Sequence, residues 1–118
     1  MNLHEFFNMV NSSNIDLSRV EKIEQIYNAS LPVLAKHILS IADEPIFVEN
    51  YRILSYKEIQ YAEEELQVPF AAERIIPFID CMDNDFIVYD ISNSAWTNYD
   101  IIDKIQFGKI TELEKLLM

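Results

Sequence analysis

One glycine and one cysteine stand in 118 residues, with only nine Lys and Arg and two His. Each scarcity excludes something. A single glycine, Gly108, leaves no material for the glycine-rich loops that let a backbone close around phosphates. A single cysteine, Cys81, excludes an internal disulfide. It falls in an apolar run, so a buried and inert thiol is expected rather than a nucleophile. Few basic residues against 20 Asp and Glu give a net charge of −11. Nucleic-acid binding needs clustered Lys and Arg to displace counterions, and no basic stripe is present. An anionic membrane surface is disfavoured on the same ground. No apolar run approaches the ~18 residues needed to cross a bilayer. The Met-Asn-Leu-His-Glu start lacks the basic and apolar segments of a signal peptide, so a reducing cytoplasmic location is expected.

What is abundant points to a folded domain. Half of the residues are hydrophobic, enough for one core in a chain of this length and too much for intrinsic disorder. The acidic surface favours a cationic partner and faster encounter at low salt.

The first half carries helical periodicity. Leu3, Phe6, Phe7 and Val10 make a short amphipathic segment, and Asn11-Ser12-Ser13-Asn14 breaks it. Asp16 or Ser18 is placed to cap a second helix with the stripe Val20, Ile23, Ile26 and Tyr27. Ser30 is placed to cap a third, with Pro32 in its first turn and the stripe Leu31, Leu34, Ala35, Ile38, Ile41 and Ala42. Ile46–Val48 and Tyr51–Leu54 are short and β-prone. Ser55 and Glu58 form a capping box opening a helix that runs to about Leu66.

The second half changes period. Ile75–Met82, Phe86–Ile91 and Ala95–Tyr99 read as three strands of a meander, separated by Asp83-Asn84-Asp85 and Ser92-Asn93-Ser94. The first is apolar on both faces and belongs at the centre. Thr111 and Glu114 suggest a second capping box and a terminal helix through Leu117. The expected fold is a single α+β domain, a mostly antiparallel meander flanked by helices.

Chemistry has little to gather on. His4 reads as a solvated terminal residue, and His37 sits at the edge of a helix stripe with no Ser or Cys motif to pair it. Asp80, Asp83, Asp85 and Asp90 lack the alternating spacing, glycine turn and distal Glu of a calcium loop. Asp80, within an apolar strand, must lie at its end or be paired. A metal-dependent hydrolase on Asp80, Asp83 and Asp85 is the weakest alternative. No cofactor is implied. The helix after Ser55 is more pointed: Ile59, Ala62 and Leu66 line its inner face, Glu63 sits at a buried rim, and Tyr61 projects nearly opposite Ile59. Lys57, Glu58, Glu64 and Glu65 surround that outward aromatic. Tyrosine offers contact area at low entropic cost, and the acids steer a basic partner. Trp96 and Tyr99 lie three apart on one strand, and if exposed on different sides at most one joins a given patch.

The order of signals carries a resemblance. A helix with Glu21 and Glu24 precedes Leu31-Pro32. Leu54-Ser55 follows with Glu58-Ile59, then Ile76-Pro77-Phe78, then Asp85 and the strands after it, and finally a helix with Leu113, Leu116 and Leu117. This arrangement over residues 18–117 resembles the SUKH superfamily, which includes yeast cell-wall-synthesis regulators and many bacterial immunity proteins. Two features depart from it: Ala42-Asp43-Glu44 stands where the family often has Asn-Gly, and glycines common before the strands are missing. The resemblance implies an α+β fold without a catalytic site, in a bacterial protein that neutralises a toxin. The expected function is non-enzymatic binding of a basic toxin domain through Glu58, Tyr61, Glu64, Glu65 and the hairpin tip Asp83, Asn84 and Asp85. The alternative is a regulatory or scaffold domain that binds an endogenous protein.

Overall fold

A computed structural model describes residues 1–117. Three helices come first: α1 (Leu3–Asn11), α2 (Leu17–Tyr27) and α3 (Val33–Ile41). Asn2 and Glu5 close a capping box on α1. The Asp16 side chain accepts from the N–H groups of Ser18 and Arg19 and so caps α2. The expected Ser30 cap is not used. Pro32 holds the cap position of α3 without a side-chain bond. The Leu31 N–H instead donates to Glu24 Oε2 across 2.8 Å, a contact from the preceding helix that spacing alone does not reveal.

The hairpin β1 (Ile46–Val48) and β2 (Tyr51–Ile53) leads into α4 (Tyr56–Gln60), α5 (Ala62–Leu66) and α6 (Phe70–Glu73). The expected single helix to Leu66 is thus interrupted at Tyr61, whose ψ of 17° departs from helical geometry, although the Glu65 N–H still reaches the Tyr61 carbonyl at 3.1 Å. The strands β3 (Ile75–Asp80), β4 (Asp85–Asp90), β5 (Ala95–Asp100) and β6 (Ile105–Thr111) follow, and α7 (Leu113–Leu117) closes the described chain. The fold is α+β as expected. Its sheet has six antiparallel strands in the order β1-β2-β3-β4-β5-β6. β6 and α6 are additions to the elements expected from sequence. Thr111 ends β6 rather than capping a helix.

Burial explains the arrangement. Ile75, Ile76, Pro77, Phe78 and Ile79 of β3 are all buried, as are Phe86 to Asp90 of β4. Successive strand side chains point to opposite faces, so both faces of the central strands are covered. Tyr99 meets Phe70 of α6 with ring centroids 6.0 Å apart. Trp96, of opposite parity, meets Phe78 at 5.2 Å and Tyr89 at 5.3 Å. Both rings are buried, at 5% and 2% exposure for Trp96 and Tyr99, so neither contributes to a surface patch. Val20, Ile23, Tyr27, Ala35, Ile38 and Leu39 supply the helical side of the same core.

Scarce glycine has a structural consequence. Asn28, Glu49, Gln67, Arg74, Met82, Asn84, Ser94 and Lys104 all adopt positive φ, a conformation that costs an L-residue roughly 1–2 kcal/mol. They end helices or make the hairpin turns, where glycine is the usual occupant.

Candidate functional site

The acidic side chains expected to form a site fall on two neighbouring parts of the surface, and Arg52 lies between them. Ser55 begins the first part. Its hydroxyl accepts from the Glu58 N–H at 3.2 Å, and its own N–H donates to Glu58 Oε1 at 3.0 Å. Glu58 Oε2 is paired with the Arg52 guanidinium, and Arg52 Nη1 also lies 4.0 Å from Asp80 Oδ2. Burial pushes the Glu58 carboxyl up, but the Ser55 N–H and the Arg52 charge outweigh it and hold the group below its ordinary range. Glu58 is half-buried and occupied within the fold, so its carboxylate serves the helix start and a strand, with little left for a partner.

Tyr61 is 48% exposed, and Glu64 and Glu65 beside it are exposed as well. Ile59 and Ala62 are buried beneath them, which places Tyr61 on the outer side as the spacing implies. Glu63 is half-buried, its Oε2 accepting the Ala71 N–H at 3.2 Å, in keeping with a rim position. A small cavity of about 80 Å³ lies under this segment, lined by Arg52, Leu54, Glu58, Glu65, Asp80 and Phe86 among others. It is too small for a drug-sized ligand, which needs on the order of 300 Å³ or more.

The second part is the turn between β3 and β4. Asp83 and Asn84 are exposed and Asp85 is half-buried. Asp85 Oδ2 accepts from Asn98 Nδ2 at 3.3 Å. The Asn84 carbonyl accepts the Ile101 N–H at 3.1 Å, tying this turn to the turn between β5 and β6. Asp80 ends its strand and pairs with Arg52, meeting both conditions placed on a carboxylate there; its Oδ1 also accepts the Met82 N–H at 2.7 Å. Of the expected residues, Tyr61, Glu64, Glu65, Asp83 and Asn84 present themselves to solvent. Glu58 and Asp85 turn inward to partners of the fold.

The groups capable of chemistry are dispersed. Cys81 stands just past β3 and is half-buried, not deep in the core as its apolar neighbourhood suggests. Burial and the adjacent Asp85 carboxylate push its thiol up to about 12, where the nucleophilic thiolate is scarce. His37 Nδ1 is 2.9 Å from the Ser13 hydroxyl, and that hydroxyl also donates to the Val10 carbonyl at 2.7 Å. His4 is exposed and bonded to Asn8 across 3.2 Å. Among the described residues, no three His, Cys, Asp or Glu side chains gather as a metal-ion cage. Asp90 is the most buried acid, 4% exposed. It accepts from Asn93 Nδ2 at 2.8 Å, from the Asn93 N–H at 3.1 Å and from Gln106 Nε2 at 3.0 Å. Burial opposes ionisation of Asp90, yet these donors hold it below the usual carboxylate range. They account for its charge as part of the sheet.

A surface cleft of about 680 Å³ is a wide, open groove along α2 lined by Glu21, Glu24, Gln25 and Arg74, among others. Two of these side chains are committed: Glu24 to Leu31, and Arg74 to the Tyr27 and Asn28 carbonyls at 3.3 and 3.2 Å. Sequence reasoning overlooked β6, where Ile105, Phe107 and Ile110 are exposed at 55%, 43% and 53%. An alternation of Ile, Gln, Phe and Lys around a glycine gave a weak strand signal for it. Among the described residues, no helix is long and apolar enough to cross a membrane.

Compared with protein-family models, with curated proteins and with solved structures, the chain matches none.

Proposed function

We propose that this chain is a non-enzymatic binding domain that neutralises a cationic toxin domain of a bacterial polymorphic toxin system. The supporting observation is Tyr61, 48% exposed over a buried Ile59–Ala62 base and flanked by exposed Glu64 and Glu65. A large aromatic at the junction of α4 and α5, held over buried Ile59 and Ala62, provides an anchor with little entropy to lose. The flanking carboxylates and a net charge of −11 draw a basic surface toward it and raise the encounter rate. Many nucleases bind their substrate in a basic cleft, and an acidic protein fills such a cleft without doing chemistry. Asp83 and Asn84 extend the acidic surface at the neighbouring turn. The SUKH resemblance supports the same reading.

A neutralising role requires a cationic toxin domain encoded beside the gene, and titration calorimetry of the chain with the neighbouring gene's product is the test. Replacing Tyr61→Ala and Glu65→Lys together removes the anchor and inverts one charge. The expected loss is about 2–4 kcal/mol, or roughly 30- to 1000-fold in affinity. An unchanged affinity in that double variant would place the binding surface elsewhere.

A further inference from the structure

β6 is an edge strand with an unusual composition for one. It is the last strand of the sheet, and its residues Ile105 to Ile110 are all exposed. Edge strands with open backbone groups are templates for pairing, and proteins commonly blunt them. The opposite edge, β1, is only three residues long, and the turn beside it is fastened by the Glu49 N–H donating to the Met1 carbonyl at 3.0 Å. β6 has seven residues and carries three exposed large apolar side chains.

The register of β6 defines which of its groups are open. Asn98 pairs with Phe107 and Asp100 with Ile105, but the register then slips, so that Trp96 pairs with Thr111. Gly108, Lys109 and Ile110 therefore stand opposite Thr97 alone, a bulge made possible by Gly108 at φ +77°. The Thr97 hydroxyl donates to the Phe107 carbonyl at 3.1 Å, so that carbonyl faces β5. By strand alternation, the N–H and carbonyl of Gln106 face the open side. Gln106 is also held firmly, its side chain donating to Asp90.

We propose that two copies of this chain pair antiparallel through β6, about a two-fold axis at Gln106. The argument is the self-complementarity of the segment Ile102-Asp103-Lys104-Ile105-Gln106-Phe107-Gly108-Lys109-Ile110. With Gln106 opposite its own copy, Ile105 faces Phe107 within the ladder, and Ile102 of the turn and Ile110 of the bulge bring exposed apolar side chains to each end. The turn of one copy carries Asp103 and Lys104, and the bulge of the other carries Gly108, which has no side chain to obstruct the approach, and Lys109, whose charge complements Asp103. Every match off the axis occurs twice, as an isologous contact requires. The strand core Ile105–Phe107 forms the ladder, while the turn of one copy meets the bulge of the other at each end. Registers shifted by one residue lose this: they set the open groups of Gln106 opposite Ile105 or Phe107, whose backbone groups already face β5. Ile102 is 67% exposed, and Asp103 and Lys109 are exposed, so all three are accessible. Lysines on an edge normally oppose pairing; this register supplies each Lys109 with an Asp103. The −11 charge on each copy repels at long range, and physiological salt screens that term beyond about 8 Å.

Sedimentation equilibrium at chain concentrations on the order of 100 µM and physiological salt tests this. The wild-type chain is expected to sediment as twice its 13.9 kDa. Lys109→Asp and Asp103→Lys each set like charges together at both ends and are expected to weaken dimerisation at least about tenfold. The double variant Asp103→Lys with Lys109→Asp exchanges the two charges and restores both pairs, so its dimer constant is expected to return toward wild type. That restoration also distinguishes pairing from mere damage by the single changes. A monomeric wild type, single variants that dimerise as wild type, or a double variant no better than the singles would each overturn the proposal.

Discussion

Replacing Arg52→Met removes a cation that touches both Glu58 and Asp80 while keeping a long side chain along the same surface. The Arg52, Glu58 and Asp80 side chains are 22%, 23% and 24% exposed, so they are mostly shielded from water. Breaking a fully buried pair by deleting one partner costs about 3–5 kcal/mol, and an exposed pair is worth about 0–1. The intermediate burial, and the survival of the Ser55–Glu58 capping box, set the expected loss near 1.5–2 kcal/mol at neutral pH. For a domain of this length that lowers the melting temperature by roughly 5–8 °C. The pH dependence follows from Glu58, whose carboxyl is held below its ordinary value in the folded chain. A depressed folded-state pKa contributes stability above the unfolded value, and that contribution is lost as pH falls through the folded value. The gap between wild type and variant should therefore be full at pH 7 and narrow below about pH 4.5. Urea unfolding followed by far-ultraviolet circular dichroism at several pH values reads both quantities. A variant as stable as wild type at pH 7, or a gap that stays constant into acid, would refute the ion pair as a contributor to stability.

Two further outcomes are expected. Gln67 ends α5 at φ 58° and is exposed, so Gln67→Gly is expected to relieve left-handed strain and raise stability by roughly 0.5 kcal/mol, read by thermal unfolding; a loss of stability would contradict that account. Cys81, its thiol pushed up to about 12 by burial and Asp85, is expected to react with Ellman's reagent at pH 8 at least about tenfold more slowly than an unfolded-state cysteine, and equal rates in native buffer and in urea would show the shielding to be absent.

The parts of this fold that were legible in advance are those whose signal is local. Phe6, Val10, Val20, Ile23 and Tyr27 recur with helical period, and each is buried. Asp16 caps α2 because a carboxylate at that position meets free N–H groups whatever the rest of the chain does. The same holds for Ser55 and Glu58. The meander from Ile75 to Asp100 announces itself through apolar strands broken by Asp-Asn and Ser-Asn turns, and two buried faces leave no polar alternation to obscure it.

The remaining decisions belong to tertiary structure, because they depend on which group arrives from elsewhere in the chain. Glu58 has the composition of a surface acid, and Arg52 from the adjoining strand makes it part of the framework. Leu31 finds its acceptor in Glu24 of the preceding helix, so Ser30 is left without a capping role. Trp96 is covered by Phe78 of β3 and Tyr89 of β4, and Tyr99 by Phe70 of α6, contacts that their own segment does not reveal. β6 shows least in its own residues: with neither face buried it needs no apolar alternation, and its pairing with β5 alone makes Ile105–Thr111 a strand. The amino-acid order by itself determined the α+β class, the Asp16 and Ser55 caps and the acidic balance, since these follow from nearest neighbours and summed charge. Which carboxylates remain exposed, and which strand edge lies open, was decided by contacts between residues far apart in the chain, where burial and pairing are set.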